Sequence, residues 1–191
     1  MRKCLVAVSV MLLLVGAAPF GEPAPTKYSL VSVNGGETLH VYRDGNKAVV
    51  DLYMPKGAHH PAIHTRSIID VPSTENRTWN LLDPKTQCDG MGKGDWPDPF
   101  AAWKRSLDSF PGKLKKVGKG KVAGMAATVF ESTAPQGSAK LWRDDRYGLL
   151  LKLVVKPKGR KAMPLVLVRS FKVGRPNPKE LEVPARCKWN H

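Results

Sequence analysis

Cysteine and acid are both scarce in this 191-residue chain: 3 Cys, and 16 Asp plus Glu against 31 Lys plus Arg. No cysteine stands in a CxxC pair and no neighbouring sequence supplies an activating histidine, which argues against a catalytic thiol. No serine lies in a nucleophile-elbow sequence, so Ser/His/Asp hydrolysis has no foothold. Gly90, Gly92 and Gly94 run into Trp-Pro and lack the Lys-Ser/Thr ending of a phosphate-cradling loop. His59, His60 and His64 are the only invitation to a metal. Pro61 forbids a regular helix there, and on an extended strand His60 and His64 stand about 13 Å apart, too far to ligate one ion directly. Exposed or hydrogen-bonded histidines are the expectation, with no metal, no cofactor and no enzymatic activity.

Long apolar runs are also scarce, and the one that exists is amino-terminal. Arg2 and Lys3 precede the apolar stretch Leu5 to Val15, and the small residues Gly16, Ala17 and Ala18 follow it, the three parts of a secretory signal. Cleavage is expected after Ala17, with any site down to Ala24 open. The run is shorter than the roughly 20 residues of a membrane-spanning helix. Cys4 precedes the apolar core, so no bacterial lipid-attachment site is present, and a periplasmic or secreted protein follows. Residues 18–27, with Pro19, Pro23 and Pro25, form a flexible leader. Residues 28–191 form one domain, since no repeat or long linker divides them.

Without Arg2 and Lys3 the chain keeps 29 Lys plus Arg against 16 Asp plus Glu, a net charge of +13. Charge of that size selects partners more than folds. Anionic headgroups, lipopolysaccharide and acidic polymers are complementary, nucleic acid is not met by an exported chain, and solubility alone explains the excess equally well. Cys88 and Cys187 remain after export, and an even pair in an oxidising compartment predicts a disulfide that ties the carboxyl-terminal tail to the middle of the domain.

Short β-rich runs fill the rest. Tyr28 to Val33 and Thr38 to Arg43 flank the turn Asn34-Gly35-Gly36, and Lys47 to Met54 follows a second turn, with Leu52 facing the core. Ile63 to Val71 and Arg77 to Leu82 surround a polar turn at Ser73 to Asn76. A Gly-rich loop is expected from Cys88 to Pro97. One helix follows: Asp98 caps it, Pro99 opens it, and Phe100, Trp103, Leu107 and Phe110 make one aromatic and aliphatic face before Pro111 and Gly112. Lys113 to Val117, Met125 to Ser132, Ala139 to Asp144, Leu149 to Lys156 and Leu165 to Val173 read as strands of an antiparallel meander, with the helix packed on one face. Leu149 to Val155 is apolar on both faces apart from Lys152. That calls for either an ordinary core beneath a cover or a cavity.

The order of short motifs resembles one known group. Val41-Tyr-Arg-Asp-Gly45, Ser67-Ile-Ile-Asp70, Trp79-Asn-Leu-Leu-Asp-Pro-Lys-Thr86, Val122-Ala-Gly-Met-Ala126, Leu141-Trp-Arg-Asp144 and the tail Gly174 to Pro184 follow one another as in the LolA/LolB superfamily of periplasmic lipoprotein carriers and its relatives. The resemblance implies a mainly β, α+β fold: a curved antiparallel sheet forming an open half-barrel under a short helical lid. It implies a monomer whose partner is a lipid or lipoprotein acyl chain, held without enzymatic chemistry. By position, Trp79, Leu81, Val129, Leu141, Leu151, Leu153 and Leu167 would line the inner face, with Phe100, Trp103, Leu107 and Phe110 from the lid, and each is equally an ordinary core residue. Lys113, Lys115, Lys116, Lys119 and Lys121 read either as a solvated, lysine-guarded edge strand or as a dock for an anionic membrane surface. Asn76-Arg77-Thr78 matches a glycan acceptor.

Overall fold

Gly35 and Gly36 adopt φ of +59° and +103°, open to glycine at no steric cost, and the chain reverses there. The computed structural model describes residues 21–83, 85, 88–93, 98–100 and 114–187. Across this turn β1 (Lys27–Asn34) pairs antiparallel with β2 (Glu37–Asp44), in register from Lys27↔Asp44 to Asn34↔Glu37. The second turn at Gly45 leads into β3 (Lys47–Met54), within the bounds its sequence predicts. Strands β4 (Ile63–Asp70) and β5 (Glu75–Asn80) continue the run. Strand β5 starts two residues before the expected Arg77 because Glu75 and Asn76 pair into the next strand.

That next strand corrects one expectation. Asp89–Lys93, read as part of a Gly-rich loop, is β6 and pairs with β5 through Glu75↔Lys93 and Thr78↔Asp89. Backbone pairing to a formed neighbour holds a segment whose residue types carry no strand signal. The second half comprises β7 (Lys115–Val122), β8 (Met125–Ala134), β9 (Gly137–Asp144), β10 (Leu150–Pro157) and β11 (Met163–Val173). Strand β7 runs five residues beyond the expected Val117, because Lys119 to Val122 pair with Met125 to Thr128 across the Ala123-Gly124 turn.

Each half is a meander, as short connections predict, but β1 pairs with β11 and joins the two. The order is β6-β5-β4-β3-β2-β1-β11-β10-β9-β8-β7, one antiparallel sheet, curved and unclosed, with β6 and β7 as its edges. The chain therefore leaves β6 at one edge and re-enters in β7 at the other. Two described residues of that connection rest on the sheet. Phe100 packs edge-on against Tyr28 at 5.4 Å and Phe171 at 6.0 Å, and Leu114 packs on the cluster of Ala139, Leu141, Leu150 and Leu153. Asp98 Oδ1 accepts from the Phe100 N–H at 2.9 Å, as an N-cap carboxylate does. The rest of the expected helix, with Trp103, Leu107 and Phe110, lies outside the described residues, as do the signal segment and Lys113.

Three apolar clusters hold the sheet. Tyr28, Leu30, Val41, Val50 and Ile69 share one face of the first half, together with Leu151 and Val168. Leu141, Leu153 and Ala139 form the second cluster. Ile68, Trp79 and Cys187 form the third on the opposite face of the first half, where Cys88 and Val183 join them. Leu52 shares the face of the core residues Ala48 and Val50 but is only half-buried, and Val49, on the other face of β3, is fully buried as well.

Candidate functional site

The tail makes the two halves of the sheet unequal. After β11 it forms a short 3-10 turn at Pro178–Leu181, whose Asn177 and Glu180 cap one another, and a second at Ala185–Cys187. Lys47 Nζ donates to the Leu181 carbonyl at 2.8 Å. Cys187 forms a disulfide with Cys88, their Cα atoms 5.4 Å apart, so the tail is pinned on the outer face of the first half. Trp79, half-buried Leu81 and Ile68 are used up beneath it. Beside them Arg66 forks onto Asp51, Nε to Oδ1 at 2.5 Å and Nη2 to Oδ2 at 2.6 Å. Burial raises the neighbouring Tyr42 phenol above its ordinary pKa, with Glu180 and Asp51 adding to it. Among the described residues, this half carries buried apolar clusters on both faces.

The second half keeps open space on the face that carries Leu141 and Leu153. Strand alternation places Thr128, Phe130, Ser132 and Ala134 of β8 on one side, and the register extends each into a cross-strand row. Lys119, Thr128 and Arg143 form the first row. Lys116, Phe130, Leu141, Leu153 and Val166 form the second. Ser132, Ala139 and Val155 form the third, and Ala134, Gly137 and Pro157 close the end. The last two rows line an open slot of about 340 Å³, walled almost wholly by apolar atoms. That volume is at the low end of small-molecule sites, about 300–1,000 Å³. The first row, with Lys116 and Phe130, lines a cleft of about 460 Å³.

Polarity thus changes along a single strand face. In the cleft Lys119 Nζ meets Asp145 Oδ2 at 2.5 Å and donates to Thr128 Oγ1 at 2.9 Å, while Thr128 Oγ1 donates to Asp145 Oδ1 at 2.5 Å. Burial would raise the Asp145 carboxyl. The hydrogen bonds from Lys119 and Thr128 and the nearby positive charge outweigh it and hold the group below the ordinary carboxylate range. The Arg143 guanidinium stands 5.4 Å from the Phe130 ring centre.

The residues expected to line an inner face do not form one group. Leu141 and Leu153 lie beside the slot. Leu151, half-buried Leu167 and Phe100 belong to the Tyr28 cluster. Trp79 and Leu81 lie under the tail. Val129 alternates with Phe130 and so takes the opposite side, paired with Trp142. Lys115, Lys116, Lys119 and Lys121 are exposed along β7, which is an edge strand. Sequence reasoning passed over Arg143, Ser132, Ala139 and Val155. Arg143 stood inside the quoted Leu141 to Asp144 motif, and the cross-strand rows needed the register.

His64 meets Tyr53 edge-on at 5.6 Å, and His60 Nδ1 lies 2.9 Å from the Pro61 carbonyl. Among the described residues no three His, Cys, Asp or Glu are grouped to hold a metal ion, and no helix is long and apolar enough to cross a membrane.

Comparison with known proteins follows the sheet, not the sequence. No protein-family model matches the chain, and no curated protein matches it either. A solved structure of the Pseudomonas aeruginosa MucA/MucB complex matches over 85% of this chain and 58% of the matched one, at 18% identity and a TM-score of 0.51. The fold is LolA-like. LprF from Mycobacterium bovis matches over 81% of this chain and 90% of its own at 15% identity and a TM-score of 0.46. An uncharacterized conserved protein from Thermus thermophilus matches over 85% and 89% at 10% identity and a TM-score of 0.44. The chain spans about 58% of the length of the MucA/MucB match, so the likeness establishes the LolA-like sheet and not an activity.

Proposed function

We propose that the mature chain is a periplasmic or secreted, non-enzymatic binding protein that belongs with the LolA/LolB-like carriers and holds a lipid or lipoprotein acyl chain on the inner face of its sheet. One observation carries this reading: the apolar slot of about 340 Å³ that continues the Leu141 and Leu153 cluster toward the β8–β9 hairpin. Holding an acyl chain needs no specific polar chemistry, because each methylene removed from water contributes about 0.8 kcal/mol. The absence of a catalytic motif in the sequence agrees with such a role. The signal segment and the paired Cys88 and Cys187 suit an oxidising compartment.

A second reading rests on a different observation. Leu141 and Leu151 are completely buried, as in a filled core, and the lysines of β7 are exposed at the sheet edge. On that reading the chain is a basic envelope protein that meets anionic lipid or polymer surfaces. A protein partner is its variant, since MucB is solved in a complex with MucA.

Solvent extraction and mass spectrometry of the protein purified from its exported form decide between them. The carrier reading expects roughly stoichiometric acyl lipid. Salt-sensitive binding to anionic vesicles with nothing extractable supports the second reading and sinks the first.

A further inference from the structure

The amino-terminal leader is fastened to one end of the sheet. The Gly45 N–H donates to the Thr26 carbonyl at 2.8 Å, and farther back the Glu22 N–H donates to the Arg146 carbonyl at 2.7 Å. Arg146 Nε returns a bond to Glu22 Oε1 at 2.9 Å. Gly21 suits this arrangement as few residues would: its φ is +93°, and a Cβ added there would stand 2.8 Å from the Arg146 carbonyl oxygen. The leader therefore reaches from the start of β1 across to the turn between β9 and β10.

Arg146 is also one wall of a cavity of about 430 Å³, which it shares with Met125, Tyr147, Phe171 and Val173. Met125 and Phe171 pack on the Tyr28 cluster, and the Tyr147 and Phe171 rings meet edge-on with centres 5.9 Å apart. Val173 is 52% exposed. The core is thus unfinished at this end, and the residue that precedes Gly21 is Phe20, outside the described residues.

Resting on the export reading, we infer that the leader is a retained part of the mature domain: the signal is cut after Ala17, and the cavity receives Phe20 of the new amino terminus. The sequence around the cut agrees. Signal peptidase takes small or aliphatic residues one and three places before the cut. Val15 and Ala17 meet that demand, whereas a cut after Ala24 would put Glu22 third and discard the residue that holds Arg146. Phe20 adjoins Gly21, which lies against Arg146, so the cavity wall is within reach of its ring. A cavity of about 150 Å³ already takes benzene, and a ring beside Tyr147 and Phe171 finds edge-to-face partners. Asp145 is bonded to Lys119 and Arg146 to Glu22, which leaves the Asp144 carboxylate, held by the Tyr147 N–H at 2.6 Å, to set the local sign. That sign suits the new terminal ammonium better than the acidic head of a lipid.

The test is mass spectrometry and NMR on protein purified after export of the full precursor. The intact mass should correspond to a chain that begins at Ala18. Nuclear Overhauser cross-peaks should join the Phe20 ring to the methyl groups of Met125 and Val173, identified by their loss in Phe20→Ala. In Gly21→Ala, whose added methyl collides with Arg146, those cross-peaks should vanish. Cross-peaks between Phe171 and Tyr28 should remain in both variants and show the sheet intact.

A mature chain that begins after Phe20 overturns the inference and leaves export standing, as does a wild-type Phe20 without these cross-peaks. Cross-peaks that survive Gly21→Ala overturn the fastening at Arg146 as what seats the ring. An uncut chain retained in the cell overturns the export reading, and this inference with it.

Discussion

The first and second halves of the sheet are built from the same kind of hairpin and finished differently. In β1 to β5 both faces are occupied: Leu30, Val41, Val50 and Ile69 on one side, and Ile68, Trp79 and the disulfide-bound tail on the other. In β8 to β10 the face of Leu141 and Leu153 carries a cleft lined by Lys116, Lys119 and Arg143 and, farther along, an apolar slot. The opposite face there carries half-buried Trp142, which packs against the Tyr28 cluster, with Lys152 Nζ 4.8 Å and Lys140 Nζ 5.7 Å from the ring centre. A sheet covered on both faces has no apolar surface left to offer. On the proposed reading, the tail makes the first half a scaffold and leaves binding to the second.

Variants can break that division. The largest loss is expected from replacing Cys88 and Cys187 together with Ala, because a loop of this length contributes about 2–5 kcal/mol. The tail should lift, and urea titration followed by tryptophan emission should report both the loss and a red shift from exposed Trp79. Binding of laurate, an acyl-chain probe, should persist, and its disappearance would mean that the halves are not separable. Leu141→Ala should cost about 2–5 kcal/mol by the same titration and, unlike the cysteine pair, weaken laurate as well. Asp51→Ala leaves Arg66 without its forked partner and should cost about 1–3 kcal/mol with laurate affinity intact.

A smaller effect is expected from pH, and it spans both halves. Burial would raise the Asp44 carboxyl, but the hydrogen bond from Arg175 and the charge of Lys27 hold it low; Asp145 is lowered in the second half. Folded values below the ordinary one, about 3.9, mean stability that is whole above that value and lost as pH falls through the lowered ones. Urea midpoints should be flat at neutral pH and drop in acid, less steeply in Asp44→Asn and Asp145→Asn. Smallest of all, Ala123 has φ of +49° beside Gly124 at +81°, and Ala123→Gly should raise stability by about 1 kcal/mol.

Strand positions were largely legible in the sequence, because turn residues and alternation are local. Lys47–Met54 lies within its predicted bounds, and the Gly35-Gly36 turn takes the positive φ that glycine permits. Strand β6 was not legible, since Asp-Gly-Met-Gly-Lys carries no strand preference and exists as strand only through β5. Faces were half legible. Bulges between Leu150 and Lys152 and between Leu153 and Val154 interrupt the alternation that a pattern reader extrapolates. Trp79 looked like an inner residue because nothing local announces a tail that returns to cover it. The disulfide was the one long-range contact that could be inferred, since two cysteines leave a single pairing. Arg143 escaped notice because a lone arginine in a strand means little until the register sets it beside Lys119 and Thr128.

The most direct test of the division between scaffold and site is an amide NMR titration of the mature protein with laurate. Shifts concentrated from Thr128 to Val155, with β2 to β5 unmoved, are the predicted result. Shifts centred on Val49, Ile68 and Trp79, or none at saturating laurate, would contradict it.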